Sequence, residues 1–563
     1  MSRGRPIGTI PLAAETNQRH CMTYQNKHAA GYRIFTLGYF AIGVTLLALV
    51  AYTLWMAFYL PVYGDETYWK LIVSRLVSDD GYLIYLFSQC AHGQWIQAPL
   101  TWLPAMALSS LLYENASHPW MLRISGWLLY VGLLIAWIWL LKRRSGLSWF
   151  DSALAVFAFF SFGVLPFLMV FDRPEKTLLV LLTLVLALVP TGESSQPKPS
   201  KVTAIFWVVL FSLLAALFAG VHPKGLFFFP ALLAVLCVRT RSWIAGLLFL
   251  VVLAWIARDT MAIWQARTHC PEFPGLMTVL QNLTLRPTAF FADPGAFIHA
   301  AWLNLRVFDA YVDSIGLMPA YVENWLPAAA GGMTQQGWVM LVNALNWIPL
   351  AAAAGLTLVN LVRAGSKWWK STGLVWLTVC LALIFIVCLQ TAKNFYEASL
   401  VWPLIGVVTV LSFAPSGGQK PTGGAKALIL LLVVIAIISS VARIDRFAPN
   451  LSDWIGERTW QVQHQDQHNE TLREFARNSC AIDASAVRLA IDKTTYPAFW
   501  RHRQPILLDF SSGWWAAEAD LSTTLRNKKS EGLVAACERL SDDLRARAKT
   551  QGQVCCLSAE DLR

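Results

Sequence analysis

The chain has 563 residues, of which 56% are hydrophobic and only 14% are charged, with 26 Trp and 30 Phe. A soluble chain carries about 25% charged residues, so this composition excludes a soluble enzyme and indicates an integral membrane protein. The formal net charge of +11 does not point to nucleic acid, because the basic residues stand at the ends of apolar runs and not in one tract interleaved with aromatics.

Residues 1–34 are polar and carry Arg3, Arg5, Arg19 and Arg33. No convincing small-residue cleavage site follows them, so this segment reads as a cytoplasmic tail before a retained anchor. Spans are expected near Phe35–Leu60, Met121–Leu141, Trp149–Val170, Thr177–Val189, Val202–Gly220, Leu226–Val238, Trp243–Ile256, Trp338–Val362, Thr372–Leu389, Leu400–Phe413 and Ala427–Val441. Basic residues collect in every second loop: Lys142-Arg143-Arg144, Lys198 with Lys201, Arg239 with Arg241, Arg363 with Lys367 and Lys370, and Lys420 with Lys426. The positive-inside rule puts those loops and the N-terminus in the cytoplasm, and about eleven spans then leave the C-terminus outside.

That threading gives a membrane domain over 35–442, with outer loops at 61–120 and 258–336, and an extracytoplasmic domain over 443–563. The second loop mixes Pro, aromatic and helical patterns and is long enough to cover a site. In the C-terminal domain, "VRLAIDKTTY" and "QPILLDF" read as strands, "SEGLVAACERLSDDLRARAK" as a helix and "GQVCCLS" as a last strand, a small α/β unit. Cys480, Cys537, Cys555 and Cys556 can form disulfides if the tail lies in an oxidising compartment, with connectivity left open. No metal-ligand spacing occurs among the cysteines. Sequons begin at Asn115, Asn282, Asn450 and Asn469 and are expected to face outward.

The outer face gathers charges at helix ends: Asp65 and Glu66; Asp172, Arg173, Glu175 and Lys176; His222 and Lys224; Lys393 and Glu397. Each set alone reads as readily as a helix-end anchor or, for "DE", a helix cap. Four sets on one face suit a reaction that needs a base and an anionic substrate. A carboxylate accepts a proton from a hydroxyl nucleophile, while Arg, Lys and His hold a phosphate leaving group. His92 stands as a substrate contact or a hydrogen-bonded loop histidine.

The order of features resembles the GT-C glycosyltransferases that use polyprenyl-phosphate sugars, in the branch of the aminoarabinose transferase and the protein O-mannosyltransferases. The matching stretches are "GDETYW" after the first span, "HGQWIQAPLTWLP", the Arg-bearing "HPWMLRISGWLLYVGLLIAWIWLLKRR", "FDRPEKTLLVLL", "GVHPKGLFFFPAL" and "AKNFYEASLVWPL". Gln97 and Ala98-Pro99 stand where relatives often have Lys-Pro-Pro, and Glu175 where they often have Asp. The resemblance covers roughly 35–442.

The resemblance implies a polytopic α-helical GT-C fold and inverting sugar transfer from a polyprenyl-phosphate donor to an envelope glycan, glycolipid or protein acceptor. It places the enzyme in the plasma or bacterial inner membrane among membrane lipids. Asp65 resembles the catalytic base, and Glu66 is left to orient it, bind a metal or touch the acceptor. Arg173, Lys176, His222, Lys224 and Lys393 become donor-phosphate ligands; Glu175, His92, Tyr396 and Glu397 become substrate contacts. No cofactor is required, and assistance by a divalent metal stays open. The rival readings are an envelope-glycan polymerase or ligase with a lipid-diphosphate donor, and a secondary transporter. No internal repeat of the transporter kind is visible.

Overall fold

A computed structural model describes residues 37–61, 66, 119–171, 174–189, 199–268, 283–317, 333–364, 372–393, 395–413, 423–483, 486, 488–499, 506–508, 521–527 and 529–562. The first helix, α1, covers Leu37–Phe58. It is followed by α2 (Pro119–Ser145), α3 (Trp149–Phe160), α4 (Leu165–Val170), α5 (Pro174–Ala187), α6 (Lys201–Val221), a 3-10 turn (Pro223–Phe228), α7 (Phe229–Thr240) and α8 (Trp243–Thr268). Three short helices, α9 (Pro287–Ala292), α10 (Pro294–Arg306) and α11 (Asp309–Ser314), lead to α12 (Met333–Ala364), α13 (Thr372–Leu389), α14 (Phe395–Phe413) and α15 (Gly423–Phe447).

The protein is an integral membrane protein, mostly helical, with a small sheet-bearing C-terminal unit. Among the described residues, seven helices are long and apolar enough to cross a bilayer, and Trp149–Phe160, Gly373–Leu389 and Glu397–Ser412 are shorter apolar helices. α14 and α5 pack at the centre, against α2 and each other. Most of their side chains face the bundle, and Leu178, Leu182, Leu186, Leu400, Trp402 and Leu404 are all buried, while Leu184 on the outer face of α5 is exposed. Arg144, at the end of α2, donates to the Leu186 carbonyl and, at 2.7 Å, to that of Val189, capping acceptors that the end of α5 leaves unsatisfied.

The expected single span over Trp149–Val170 is interrupted, because the chain breaks helix between Phe160 and Leu165. Gly163 adopts φ +49°, and a Cβ there would lie 1.6 Å from the Ile315 carbonyl oxygen, so only glycine fits. The freed backbone groups are satisfied from elsewhere, as a non-aqueous interior requires. The Gly163 amide donates to Ser439 Oγ at 2.7 Å, and the Val164 amide donates to Ile315 O at 2.9 Å. Arg443, fully buried, donates from Nη1 to the Ser161 and Gly163 carbonyls at 2.8 and 2.7 Å, and from Nη2 to Thr53 Oγ1 at 2.9 Å.

A 3-10 turn at Ala448–Asn450 leads into α16 (Leu451–Cys480), the stalk of the C-terminal domain. The domain then runs through β1 (Leu489–Ile491), α17 (Tyr496–Phe499), β2 (Ile506–Leu507), α18 (Leu521–Asn527), β3 (Gly532–Ala536), α19 (Asp542–Arg547), β4 (Lys549–Gln551) and β5 (Val554–Ser558). The sheet order is β2-β1-β3-β5-β4, with β1 parallel to β2 and β3, and β5 antiparallel to β3 and β4. The expected helix over Ser530–Lys549 is therefore corrected: its first part is the central strand β3, and only Asp542–Arg547 is α-helical. All five residues of β3 are buried, because both faces of the sheet are covered, and a short apolar run of that kind carries no period that separates strand from helix.

The adjacent cysteines of β5 point to opposite faces of the sheet, as successive strand residues must. Cys556 meets Cys480 at the end of α16, and Cys555 meets Cys537 after β3. Each bond sits in its own apolar cluster. Asn469 is 1% exposed, so its side chain is closed to glycosylation in the folded domain. On loop-closure entropy, removing the Cys480–Cys556 bond (separation 76) costs the domain about 4 kcal/mol and removing Cys537–Cys555 (separation 18) about 3 kcal/mol. Pulse proteolysis of the full-length protein in urea, comparing the two double Cys→Ala variants, checks this order; equal stability with and without reductant counts against it.

Candidate active site

The charges expected on one face gather at one end of the bundle. Glu175 and Lys176 open the first turn of α5, where carboxylates suit the helix dipole. His222 ends α6 and caps the 3-10 turn, its Nδ1 accepting the Lys224 amide at 3.0 Å, so a neutral ring carries its proton on Nε2. Gly225 is held by a close approach: a Cβ would sit 2.0 Å from the Phe218 carbonyl oxygen. The neighbour that requires glycine is the backbone of α6. Lys393 lies in the turn between α13 and α14, and Glu397 in the first turn of α14.

Lys224 is the centre of this group. Its Nζ lies 3.1 Å from Glu175 Oε1 and 2.7 Å from Glu397 Oε1, and the three side chains are 11%, 3% and 7% exposed. Three segments distant in sequence thus meet on one ammonium. Lys176 turns the other way and donates to the Gly126 carbonyl at 3.2 Å. Gly126 has no room for a side chain either, since a Cβ would lie 1.7 Å from Val170 O. One turn before Gly126 on α2, Arg123 pairs with Glu66 at 2.8 Å, both fully buried. Arg123 also donates to the Pro61 carbonyl and lies 4.4 Å from the Phe171 ring centroid. Lys393 donates to Val387 O at 2.5 Å and to Gln390 O, and stands 5.0 Å from the Tyr311 ring centroid. Burial pushes its ammonium down to about 8, against the opposing pull of Cys388 and Glu397.

The structure therefore places Glu66, Glu175, Lys176, His222, Lys224, Lys393 and Glu397 at one end of the helices, with Glu175, His222, Lys224 and Glu397 in direct contact and Glu66, Lys176 and Lys393 each held by separate partners. Asp65, Arg173 and His92 lie outside the described residues, as does the side chain of Tyr396. Among the described residues, no three His, Cys, Asp or Glu side chains converge as a metal site. Sequence reasoning missed two participants: Arg123 and Tyr311. Arg123 reads in the sequence only as part of a span, although a lone Arg in an apolar run signals a buried partner. Tyr311 lies in the loop region read as a cover, and its hydroxyl is buried without a hydrogen-bond partner.

The arrangement places four cations, Arg123, Lys176, Lys224 and Lys393, against three carboxylates, Glu66, Glu175 and Glu397. Cations and carboxylates set side by side in this way are the groups that phosphate binding and proton transfer require.

No protein-family model matches the sequence, and no curated protein matches it. Among solved structures, the chain is similar to the oligosaccharyltransferase of Archaeoglobus fulgidus in the apo form, at 12% identity and TM-score 0.39, over 88% of this chain and 70% of that one. It is also similar to ArnT from Cupriavidus metallidurans bound to undecaprenyl phosphate, at 13% identity and TM-score 0.33, over 92% and 97% of the two chains. The chemistry of this site rests on its own side chains.

Removing Lys224 leaves Glu175 and Glu397 buried and facing each other, so Lys224→Ala is expected to lose about 3–5 kcal/mol of stability. Lys224→Met combined with Glu175→Gln and Glu397→Gln removes all three charges and is expected to recover most of that loss. Thermal unfolding of the detergent-solubilised variants checks both; a single variant as stable as the wild type rules out the buried triad.

Proposed function

We propose that the protein is a membrane glycosyltransferase that moves a sugar from a polyprenyl-phosphate donor to an envelope glycan, glycolipid or protein acceptor. The observation that carries this reading is the cluster in which Lys224 is shared by Glu175 and Glu397, with Lys176, Lys393 and the Glu66–Arg123 pair linked to the same end of the bundle. Cations at the ends of apolar helices stand at the depth of a lipid phosphate. Carboxylates beside them supply the base that a hydroxyl acceptor needs. The motif order in the sequence supports the same reading.

In the proposed reaction, Asp65 takes the acceptor's proton as the acceptor oxygen attacks the anomeric carbon. The bond from that carbon to the phosphate oxygen breaks, and the cations neutralise the departing lipid phosphate. Attack opposite the leaving group inverts the anomeric centre. Lys224, Lys393, Lys176, Arg173 and His222 are assigned to the phosphate, with Arg173 offering a planar two-pronged grip and the lysines point charges. Glu175, Glu397, Tyr396 and His92 are assigned to substrate, and Glu66 to holding Asp65 in place through Arg123.

We place this end of the bundle on the outer side of the bacterial inner membrane. Two disulfides in the C-terminal domain favour an oxidising compartment. The opposite end carries Lys142, Arg143, Arg144, Arg239 and Arg241, the basic bias of cytoplasmic loops.

Asp65→Asn preserves shape and removes the proton acceptor, so turnover with a defined polyprenyl-phosphate sugar is expected to fall roughly 100-fold or more while donor binding survives. Near-normal turnover removes Asp65 from the role of base, and transfer only from a lipid diphosphate replaces the donor class. Mass spectrometry of envelope glycolipids with and without the gene identifies the sugar and its acceptor.

A pH dependence follows from Lys393. Its charge is present below about pH 8 and lost as pH rises through that value, so the donor KM of the wild type is expected to rise between pH 8 and 9. Lys393→Arg keeps its charge and is expected to hold the donor KM flat over that range. Folding moves in the opposite direction: a buried ammonium held below its ordinary pKa destabilises at low pH, and stability recovers as pH rises above about 8. A donor KM that stays flat in the wild type takes Lys393 off the phosphate.

A further inference from the structure

Two arginines, one from α2 and one from α16, hold the chain just beyond α1. Arg123 of α2 donates to the carbonyl of Pro61, and Arg458 of α16 donates from Nη2 to the carbonyl of Leu60 at 2.5 Å. Leu60 and Pro61 lie just past the last helical residue, Phe58, and backbone carbonyls withdrawn from water there need donors, so the two guanidinium groups satisfy them and fix the direction in which the chain leaves. The residues that follow this clamp are Asp65 and Glu66, and Glu66 returns to Arg123 at 2.8 Å.

Arg458 is itself held in place. Its Nη1 donates to Gln461 Oε1 at 2.6 Å, and Gln461 Nε2 donates to Glu457 Oε1 at 3.1 Å. The side chain is 4% exposed. Burial and the charge of Arg123 push the guanidinium down to about 10, with Glu457 and Glu66 pulling it back, so it stays charged at neutral pH. A buried cation within reach of a second one is a poor device for stability. Docking of α16 on the membrane bundle is already provided by Leu451, Trp454 and Ile455. Packing alone would favour an apolar residue at this position.

We propose that Arg458 is a positioning residue for sugar transfer: from the first helix of the C-terminal domain it clamps Leu60 O and fixes the path by which the chain reaches Glu66 at Arg123. The transfer part rests on the glycosyltransferase reading; the clamp does not. The C-terminal domain is then part of the working enzyme, and α16 is the element through which it acts.

The test uses the full-length protein in nanodiscs with Arg458→Gln and Arg458→Lys. Hydrogen exchange read over peptides covering 55–70 is expected to be at least 10-fold faster in Arg458→Gln than in the wild type, while peptides of α6 and α7 are unchanged. Unchanged exchange over 55–70 overturns the clamp. With a polyprenyl-phosphate sugar donor, kcat of Arg458→Gln is expected to fall 10-fold or more with the donor KM within 2-fold, and Arg458→Lys to recover part of the loss. A wild-type kcat in Arg458→Gln, or a loss that appears in KM alone, overturns the positioning role. If global unfolding accompanies Arg458→Gln, Arg458→Lys decides: its exchange over 55–70 must exceed that of the wild type, or the proposal falls. If the wild type transfers no sugar at all, the glycosyltransferase reading fails, and the exchange measurement alone still decides the clamp.

Discussion

Lys224 shared between Glu175 and Glu397 is the interaction around which the site is built. An ammonium nine-tenths withdrawn from water is costly unless its partners are close and well placed. Meeting that requirement draws the start of α5, the 3-10 turn after α6 and the start of α14 to one point. The close approaches at Gly126 and Gly225 serve the same end, because a side chain at either position would push apart the backbones that carry the charges. The cluster and the glycine contacts are one constraint seen from two sides: charged groups at the end of an apolar bundle require tight backbone packing beneath them.

A second buried cation organises the layer below. Arg443 joins α15 to α1 and to the break between α3 and α4, satisfying carbonyls that an interrupted helix exposes in an apolar interior. After the break, Val170 at the end of α4 and Phe171 stand against α2, beside Gly126 and Arg123. The two layers are thus connected. The break supported by Arg443 places the α4 surface, and that surface fixes the α2 residues that pair with Glu66 and accept from Lys176. Arginine suits both tasks because its fork reaches several oxygens at once.

The C-terminal domain is tied to this frame by α16 and closed on itself by two disulfides. Since Cys555 and Cys556 lie on opposite faces of β5, one bond secures the stalk helix to the sheet and the other secures the β3 end beneath the far face. A small sheet with short strands has little core of its own, and the cross-links offset that. α16 then presents a buried polar side, with Arg458, Gln461, Gln465 and Asn469 in succession, where a helix on a purely apolar surface would carry leucines.

Much of the membrane part was legible in the amino-acid order. Length of apolar runs, basic loops and the charged helix starts set out α1, α2, α6, α8, α12, α13, α14 and α15, because a bilayer imposes length and hydropathy residue by residue. Glu175, Lys176, His222, Lys224, Lys393 and Glu397 are legible as charges at helix ends, and the cysteine set as a disulfide framework. Three things were decided only by tertiary structure. The strand β3 was read as helix, since a buried apolar run of five residues has no period until both sheet faces are covered. The break at Gly163 was read through, since its need for glycine comes from Ile315, far away in the chain. The pairings Lys224 with Glu175 and Glu397, Arg123 with Glu66, and Arg458 with Leu60 could not be read at all. A local sequence reports what a residue costs to bury, and only the fold supplies the partner that makes the burial tolerable.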